Sequence, residues 1–364
     1  MPPARGRAEW HKLAGVAWRA GILRSAVRAI EIAEDRSLAV VDRPWPEPGP
    51  GQVAVDIAFC GICGSDLHFR DVPALFPAGT VPGHEMSGSI GALGEGVGGW
   101  GEGDRVSVLP FAQCGECDAC RSGAEQVCGT AVANGVGLGT GRPGGYAERV
   151  IVDARMLFAL PDAVDDQAGT LVEPTAVAVH ALFRARLVPG ERFAVIGAGP
   201  IGLLTALVAR EQGAEVVLIS RNPGRARSAE RLGLRTLAPA EATAELAGNP
   251  PAAVMECAGT GAAVALAIEL VAPLGRVLMV GMALEPFPLD QLPLIFKEVD
   301  VRGAIIYRRA DFDEAIALLA AGRIPSGELV SGAVGFDRAE ETFQALTAPG
   351  NQRVKVLLDP ALSG

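Results

Sequence analysis

Residues 193–209 read Phe-Ala-Val-Ile, then Gly197-Ala-Gly199-Pro200-Ile201-Gly202, then an apolar run from Leu203 to Ala209. This order leaves few options: the first run predicts a strand, the glycines a tight turn, and the second run a helix. Gly197 permits the turn, Gly199 lets backbone approach a pyrophosphate, and Gly202 allows close packing of helix on strand, while the helix N-terminus attracts the anion. A second strand is expected over Glu215–Ile219, which completes the frame of a doubly wound, dinucleotide-binding α/β (Rossmann) domain. The same stretch is also the uncharged run that comes nearest to membrane length. It falls short of the roughly 18 apolar residues that a spanning helix needs.

A chain of 364 residues, 49% hydrophobic, has room for about two such cores. Its formal net charge of −10 argues against a broad nucleic-acid or anionic-membrane surface, so the expected partner is a small molecule. The first 26 residues are different, with Arg5, Arg7, Lys12, Arg19 and Arg24 against the single acid Glu9. Serine is too scarce there for a transit peptide. Residues 1–26 are therefore read as a disordered extension, or as the product of a start codon upstream of one near Val27, with folded structure beginning at a strand there.

Cys114, Cys117, Cys120 and Cys128 form C-x2-C-x2-C-x7-C. Four thiolates at this spacing can close around one tetrahedral zinc, leaving no position for substrate, so such a site holds structure. A bacterial ferredoxin cluster is the rival, but its fourth cysteine follows three residues after the third and precedes proline, which Cys128 does not. A disulfide lobe would call for a secretory context that the sequence does not display.

From Val27 to about Leu182, short β-like runs punctuated by Gly and Pro favour a compact β-barrel-like domain. Within it lie Cys60-Gly-Ile-Cys63-Gly-Ser65-Asp66-Leu-His68 and, further on, Pro82-Gly83-His84-Glu85. Thiolate, imidazole and carboxylate are zinc's preferred donors, and three protein ligands leave a fourth position for water or an alcohol oxygen. The second motif continues as G-H-E-x2-G-x5-G-x2-V through Gly88, Gly94 and Val97.

On these residues, together with the four-cysteine lobe, the chain resembles the zinc-dependent medium-chain dehydrogenases, in particular the sorbitol, threonine and butanediol dehydrogenase branch. The resemblance runs from Val27 to the end. It implies a GroES-like catalytic domain over residues 27–182 and 325–364 and a Rossmann domain over 183–324. It makes Cys63 and His84 catalytic zinc ligands, with Glu85 either a ligand or an exchangeable neighbour, and puts Glu173 where relatives place a third ligand or a zinc-water partner. Asp66 would orient the histidine, and Ser65 and His68 would relay a proton. Cys60 matches no ligand position and reads as a core residue.

The end of the strand Glu215–Ile219 bears on the cofactor. NAD enzymes place an acid about 20 residues beyond the glycines, whereas here the slot reads Ser220-Arg221-Asn222 with Arg225 close behind. A hydroxyl and a guanidinium suit a 2′-phosphate, so NADP is expected in preference to NAD. The resemblance also sets Cys257-Ala258-Gly259 and Val280-Gly281-Met282 beside the cofactor, along with Pro200 and Ile201 of the glycine turn. Further strands are expected over Val254–Cys257, Arg276–Val280 and Val299–Ile306, and helices over 262–270 and 312–321.

The sequence thus predicts a cytoplasmic, NADP-dependent zinc alcohol dehydrogenase or ketone reductase. It would carry one catalytic and one structural zinc per chain, act on a small alcohol, polyol or carbonyl compound, and form a homodimer or homotetramer. The alternatives are an NAD-dependent polyol or threonine dehydrogenase, and a cofactor-binding regulator without catalysis.

Overall fold

The computed structural model describes residues 26–44, 47–139 and 141–362; apart from Ala26, the extension expected over residues 1–26 lies outside them. An antiparallel hairpin of β1 (Ala26–Ile32) and β2 (Leu38–Pro44) opens the described chain. The Ile30 N–H ties this hairpin to the loop before Arg149 by donating to the Tyr146 carbonyl at 2.8 Å.

The first large sheet takes β3 (Gln52–Gly61), β4 (Glu85–Leu93), β5 (Arg105–Val108), β6 (Arg149–Asp153) and β7 (Leu157–Ala159). The chain then leaves it for the parallel strands β8 (Arg192–Ile196), β9 (Glu215–Ile219), β10 (Arg235–Leu237), β11 (Ala253–Glu256), β12 (Arg276–Met279) and β13 (Asp300–Gly303). It returns for β14 (Val330–Val334) and β15 (Lys355–Leu358), and the first sheet finishes with the order β14-β15-β3-β4-β5-β7, β6 pairing β3.

The parallel sheet runs β10-β9-β8-β11-β12-β13. Numbered within itself this is 3-2-1-4-5-6, the dinucleotide-binding order, and its switch point lies between β8 and β11. Both neighbours cover β8, so Phe193, Ala194 and Val195 are fully buried, as a central parallel strand requires. Helix Pro200–Glu211 packs back through Gly202, where a Cβ would fall 1.8 Å from the Gly197 carbonyl oxygen. No other residue fits that approach.

The expected strand over Val299–Ile306 is shorter in the structure, ending at Gly303. Ile306 has φ +41°, a left-handed conformation that a β-branched side chain adopts only under constraint from its surroundings. The chain turns there out of the sheet and into helix Arg309–Ala320. Among the described residues no helix is long and apolar enough to cross a membrane.

Candidate metal and cofactor site

Three strand ends bring together a group of side chains that could hold a metal ion. β3 pairs antiparallel with β4, placing Gly61 opposite Glu85, while β15 pairs with the same end of β3, placing Leu357 opposite Gly61. Cys63 follows β3 as the N-cap of the short helix Gly64–Phe69, and His84 immediately precedes β4. The donor atoms of Cys63, His84 and Glu85 lie within 4.8 Å of one another. His84 and Glu85 are buried and Cys63 half-buried.

Asp66 organises this cluster. Its Oδ2 accepts the Cys63 backbone N–H at 3.0 Å and the Tyr146 hydroxyl at 2.7 Å, and its Oδ1 lies 3.5 Å from His84 Nδ1. The Tyr146 ring fits against Gly83, where a Cβ would come within 2.4 Å of it. With Nδ1 facing Asp66, His84 presents Nε2 to the cluster, and Ser65 Oγ sits 3.5 Å from that nitrogen. Burial pushes the His84 imidazole down, but the charges of Asp66 and Cys63 outweigh it and hold the group well above the ordinary histidine range. Such a site favours a cation.

Glu85 is already engaged by a residue that spacing alone does not reveal. Lys355, at the start of β15, places Nζ 2.7 and 2.5 Å from the two Glu85 oxygens and 3.0 Å from the Ile62 carbonyl oxygen. Glu173 stands in the first turn of helix Val172–Ala185. Burial pushes its carboxyl up to about 7, against the opposing pull of His84. The Tyr307 hydroxyl faces Glu173 without completing a well-formed hydrogen bond. His68 is exposed on the helix that Cys63 caps, and Cys60 is fully buried in the barrel core.

Cys114, Cys117, Cys120 and Cys128 form a separate lobe, and none of the seven cysteines is in a disulfide. Cys114 Sγ lies 3.9 Å from Cys120 Sγ and 3.6 Å from Cys128 Sγ. Tetrahedral Zn–S bonds of about 2.3 Å imply S···S separations of roughly 3.8 Å, whereas a disulfide requires about 2.05 Å. Backbone amides point at the sulfurs, Cys117 N–H to Cys114 and Cys114 N–H to Cys128. The Thr130 hydroxyl and the Cys114 amide draw the Cys128 thiol down to about 6. The donor set fits zinc.

At the sheet's switch point three turns converge. The glycine turn leads into Gly199, N-cap of helix Pro200–Glu211, with the Arg225 guanidinium beside it, 3.9 Å from the position a Cβ would take. Ala258 and Gly259 donate their N–H groups to Glu256 Oε1 at 2.6 and 2.7 Å, and Val280 and Gly281 donate theirs to the Glu256 carbonyl, both at 3.0 Å. Glu256 thus sets the turns on which Cys257 to Gly259 and Val280 to Met282 sit, a role not evident from its sequence position. Ser220 turns its hydroxyl back to the Asn222 backbone, and Arg221 is exposed. Arg225 is half-buried, its Nε without a partner and its guanidinium pushed down by burial. A half-buried cation with an unpartnered Nε beside a helix N-terminus fits an anion such as a pyrophosphate or a 2′-phosphate.

Residues 49–162 match the alcohol dehydrogenase GroES-like domain, and residues 200–321 match the zinc-binding dehydrogenase domain. The chain is 35% identical to a 2-dehydro-3-deoxy-L-galactonate 5-dehydrogenase of Pseudoalteromonas atlantica, over 83% of this chain and 90% of the relative. It is 32% identical to a sorbitol dehydrogenase of Halalkalibacterium halodurans, over 88% and 95% respectively. Among solved structures it resembles a putative zinc-binding dehydrogenase from Sinorhizobium meliloti bound to NADP, with a TM-score of 0.84 and 30% identity over 93% of this chain and 100% of the other. It also resembles 2R,3R-butanediol dehydrogenase from Bacillus subtilis, with a TM-score of 0.83 and 31% identity over 92% and 99%.

Proposed function

Because the chain belongs to the zinc-dependent medium-chain dehydrogenases, we propose that it transfers hydride between NADP(H) and a secondary alcohol or the matching ketone, on a small alcohol or polyol. The observation that carries this reading is the convergence of the Cys63, His84 and Glu85 donor atoms within 4.8 Å, with His84 and Glu85 buried. Relatives named for sorbitol, xylulose and galactonate chemistry favour a polyhydroxylated substrate.

Cys63 and His84 would hold the catalytic zinc, with Glu85 or Glu173 as the carboxylate donor, and the ion would supply Lewis acidity at the substrate oxygen. Asp66 holds His84 in the tautomer that presents Nε2. Ser65, beside that nitrogen, takes the alcohol proton as it leaves, and exposed His68 passes it to solvent. Lys355 keeps Glu85 turned toward itself, which favours Glu173 as the carboxylate nearer the reacting centre. The Cys114, Cys117, Cys120 and Cys128 lobe holds the second zinc.

NADP would provide the hydride acceptor, its pyrophosphate at the helix that begins with Pro200 and Ile201 and its 2′-phosphate at Ser220, Arg221 and Arg225. We take residues 27–182 with 325–364 as the catalytic domain and 183–324 as the cofactor domain, a division supported by the return of β14 and β15 to the first sheet. Free thiols suit a reducing compartment, the cytoplasm. The open edge of β13 carries exposed Val301, with exposed Ile295, Phe296 and Ile305 nearby. These features support pairing of two copies there.

The test is steady-state kinetics on secondary alcohols, polyols and ketones with each cofactor. We expect turnover of a polyol with kcat/KM higher for NADP than for NAD. Zinc-loaded protein that binds NADPH and turns over none of these compounds would favour a non-catalytic regulator instead.

A further inference from the structure

Tyr307, Arg308 and Arg309 lead from β13 into helix Arg309–Ala320 as a strap that contacts the helix of Glu173 on one side and the four-cysteine lobe on the other. Tyr307 is fully buried, and its hydroxyl, the side facing Glu173, has no completed hydrogen bond. The residue before it, Ile306, has φ +41°. Arg308 grips Asp311 through its backbone N–H at 2.8 Å and through its guanidinium. Asp311 in turn holds His180 Nδ1 at 2.8 Å, on the helix that carries Glu173. The Arg308 guanidinium also lies 3.6 Å from the centre of the Phe183 ring on that helix.

Arg309 reaches the other way, into the four-cysteine lobe. Its backbone N–H donates to Glu125 Oε1 at 2.9 Å, and its guanidinium donates to the Arg155 carbonyl at 2.6 Å. Glu125 lies three residues before Cys128, whose N–H donates to the Glu125 carbonyl at 3.0 Å. Phe111, three residues before Cys114, meets the Tyr307 ring edge-on with centroids 5.8 Å apart. Each end of the lobe therefore contacts the strap directly.

We infer that the four-cysteine lobe, through Glu125, holds the Tyr307–Arg309 strap in register so that Tyr307 positions the Glu173 carboxylate at the catalytic metal site. This rests on the metal site proposed above. Tyr307 is thus a positioning residue, supplied by the segment just beyond the cofactor sheet, and the lobe has a task beyond local stability. Removing the Glu125 acceptor cuts the strap's backbone tie to the lobe and leaves the four thiolates, and the contacts of Arg308 with Asp311, in place.

The experiment uses protein loaded with zinc in the lobe and cobalt at the Cys63 and His84 site. Metal content, the visible cobalt spectrum and the rate of cobalt release to a chelator are measured for wild type, Tyr307→Phe, Glu125→Ala and Glu125→Gln. We expect two metals per chain throughout and a changed spectrum in Tyr307→Phe. Its cobalt release should be about 10-fold faster, the scale seen when a partner of a metal ligand is removed. Glu125→Ala should shift spectrum and release in the same direction with the lobe zinc retained, while Glu125→Gln, which keeps the acceptor, stays at wild type.

If wild type loads two metals but Glu125→Ala leaves the cobalt spectrum and release rate unchanged, or Glu125→Gln shifts them equally, the inference is overturned while the metal site stands. If wild type takes up no metal at Cys63 and His84, the site assignment itself is overturned and this inference with it.

Discussion

Lys355 Nζ lies 2.7 and 2.5 Å from the two carboxylate oxygens of Glu85, and each side chain is only 1% exposed. A pair this dry is held by mutual neutralisation, and loss of one member strands a charge in low dielectric. Lys355→Met should therefore cost about 3–5 kcal/mol, measured by urea unfolding. The double variant Lys355→Met, Glu85→Gln should recover most of that loss, and a double variant no more stable than the single one would show that the charge pair is not the cause.

Cofactor choice should follow the cations at the switch point. Arg221→Ala combined with Arg225→Ala removes both guanidiniums expected to meet the 2′-phosphate. Each charge-assisted bond is worth about 1.5–3 kcal/mol, so kcat/KM for NADP should fall at least about 10-fold while that for NAD changes little. Equal losses for both cofactors would place these arginines elsewhere on the dinucleotide.

Asp311 gives the fold an acid-sensitive joint. Burial raises its carboxyl, but hydrogen bonds from His180 and Arg308 outweigh that and bring it down to about 2, below the ordinary value of about 3.9. A depressed carboxylate stabilises fully above its unfolded value and loses that contribution as pH falls through its folded one. Asp311→Asn should be about 2–3 kcal/mol less stable at pH 7. The gap to wild type should close between pH 5 and pH 2 in urea unfolding, and a gap constant down to pH 2 would disprove the linkage.

Cys114→Ser should lower metal content from two to one per chain and cost several degrees of Tm, because a closed thiolate site contributes directly to folding. A variant with one zinc and unchanged Tm would remove the structural role of the lobe.

Much of the site was legible because its chemistry is local. The spacing of Cys63, Ser65 and Asp66, the His84-Glu85 pair and the glycine turn at Gly197 to Gly202 are each encoded within a few residues, where strand ends and helix caps fix geometry without distant help. The residues that tune those groups come from elsewhere. Lys355 stands 270 positions from Glu85, and Asp311 131 from His180, and no periodicity links such partners. Tyr307 was hidden for another reason. The apolar run around it reads as a continuing strand, whereas the strand ends at Gly303 and the chain turns at Ile306.

The return of β14 and β15 to the first sheet also sets an order of assembly during synthesis. A growing chain contains every strand of the cofactor sheet, through Gly303, before it contains Lys355. Because domains tend to fold as their sequence becomes available, the nascent cofactor half can close while Glu85 still lacks its counter-ion and β3 still lacks one neighbour. Chains arrested before residue 355 should therefore be cut by protease in the first sheet and spared in the second, with the surroundings of Glu85 the last part of the molecule to mature.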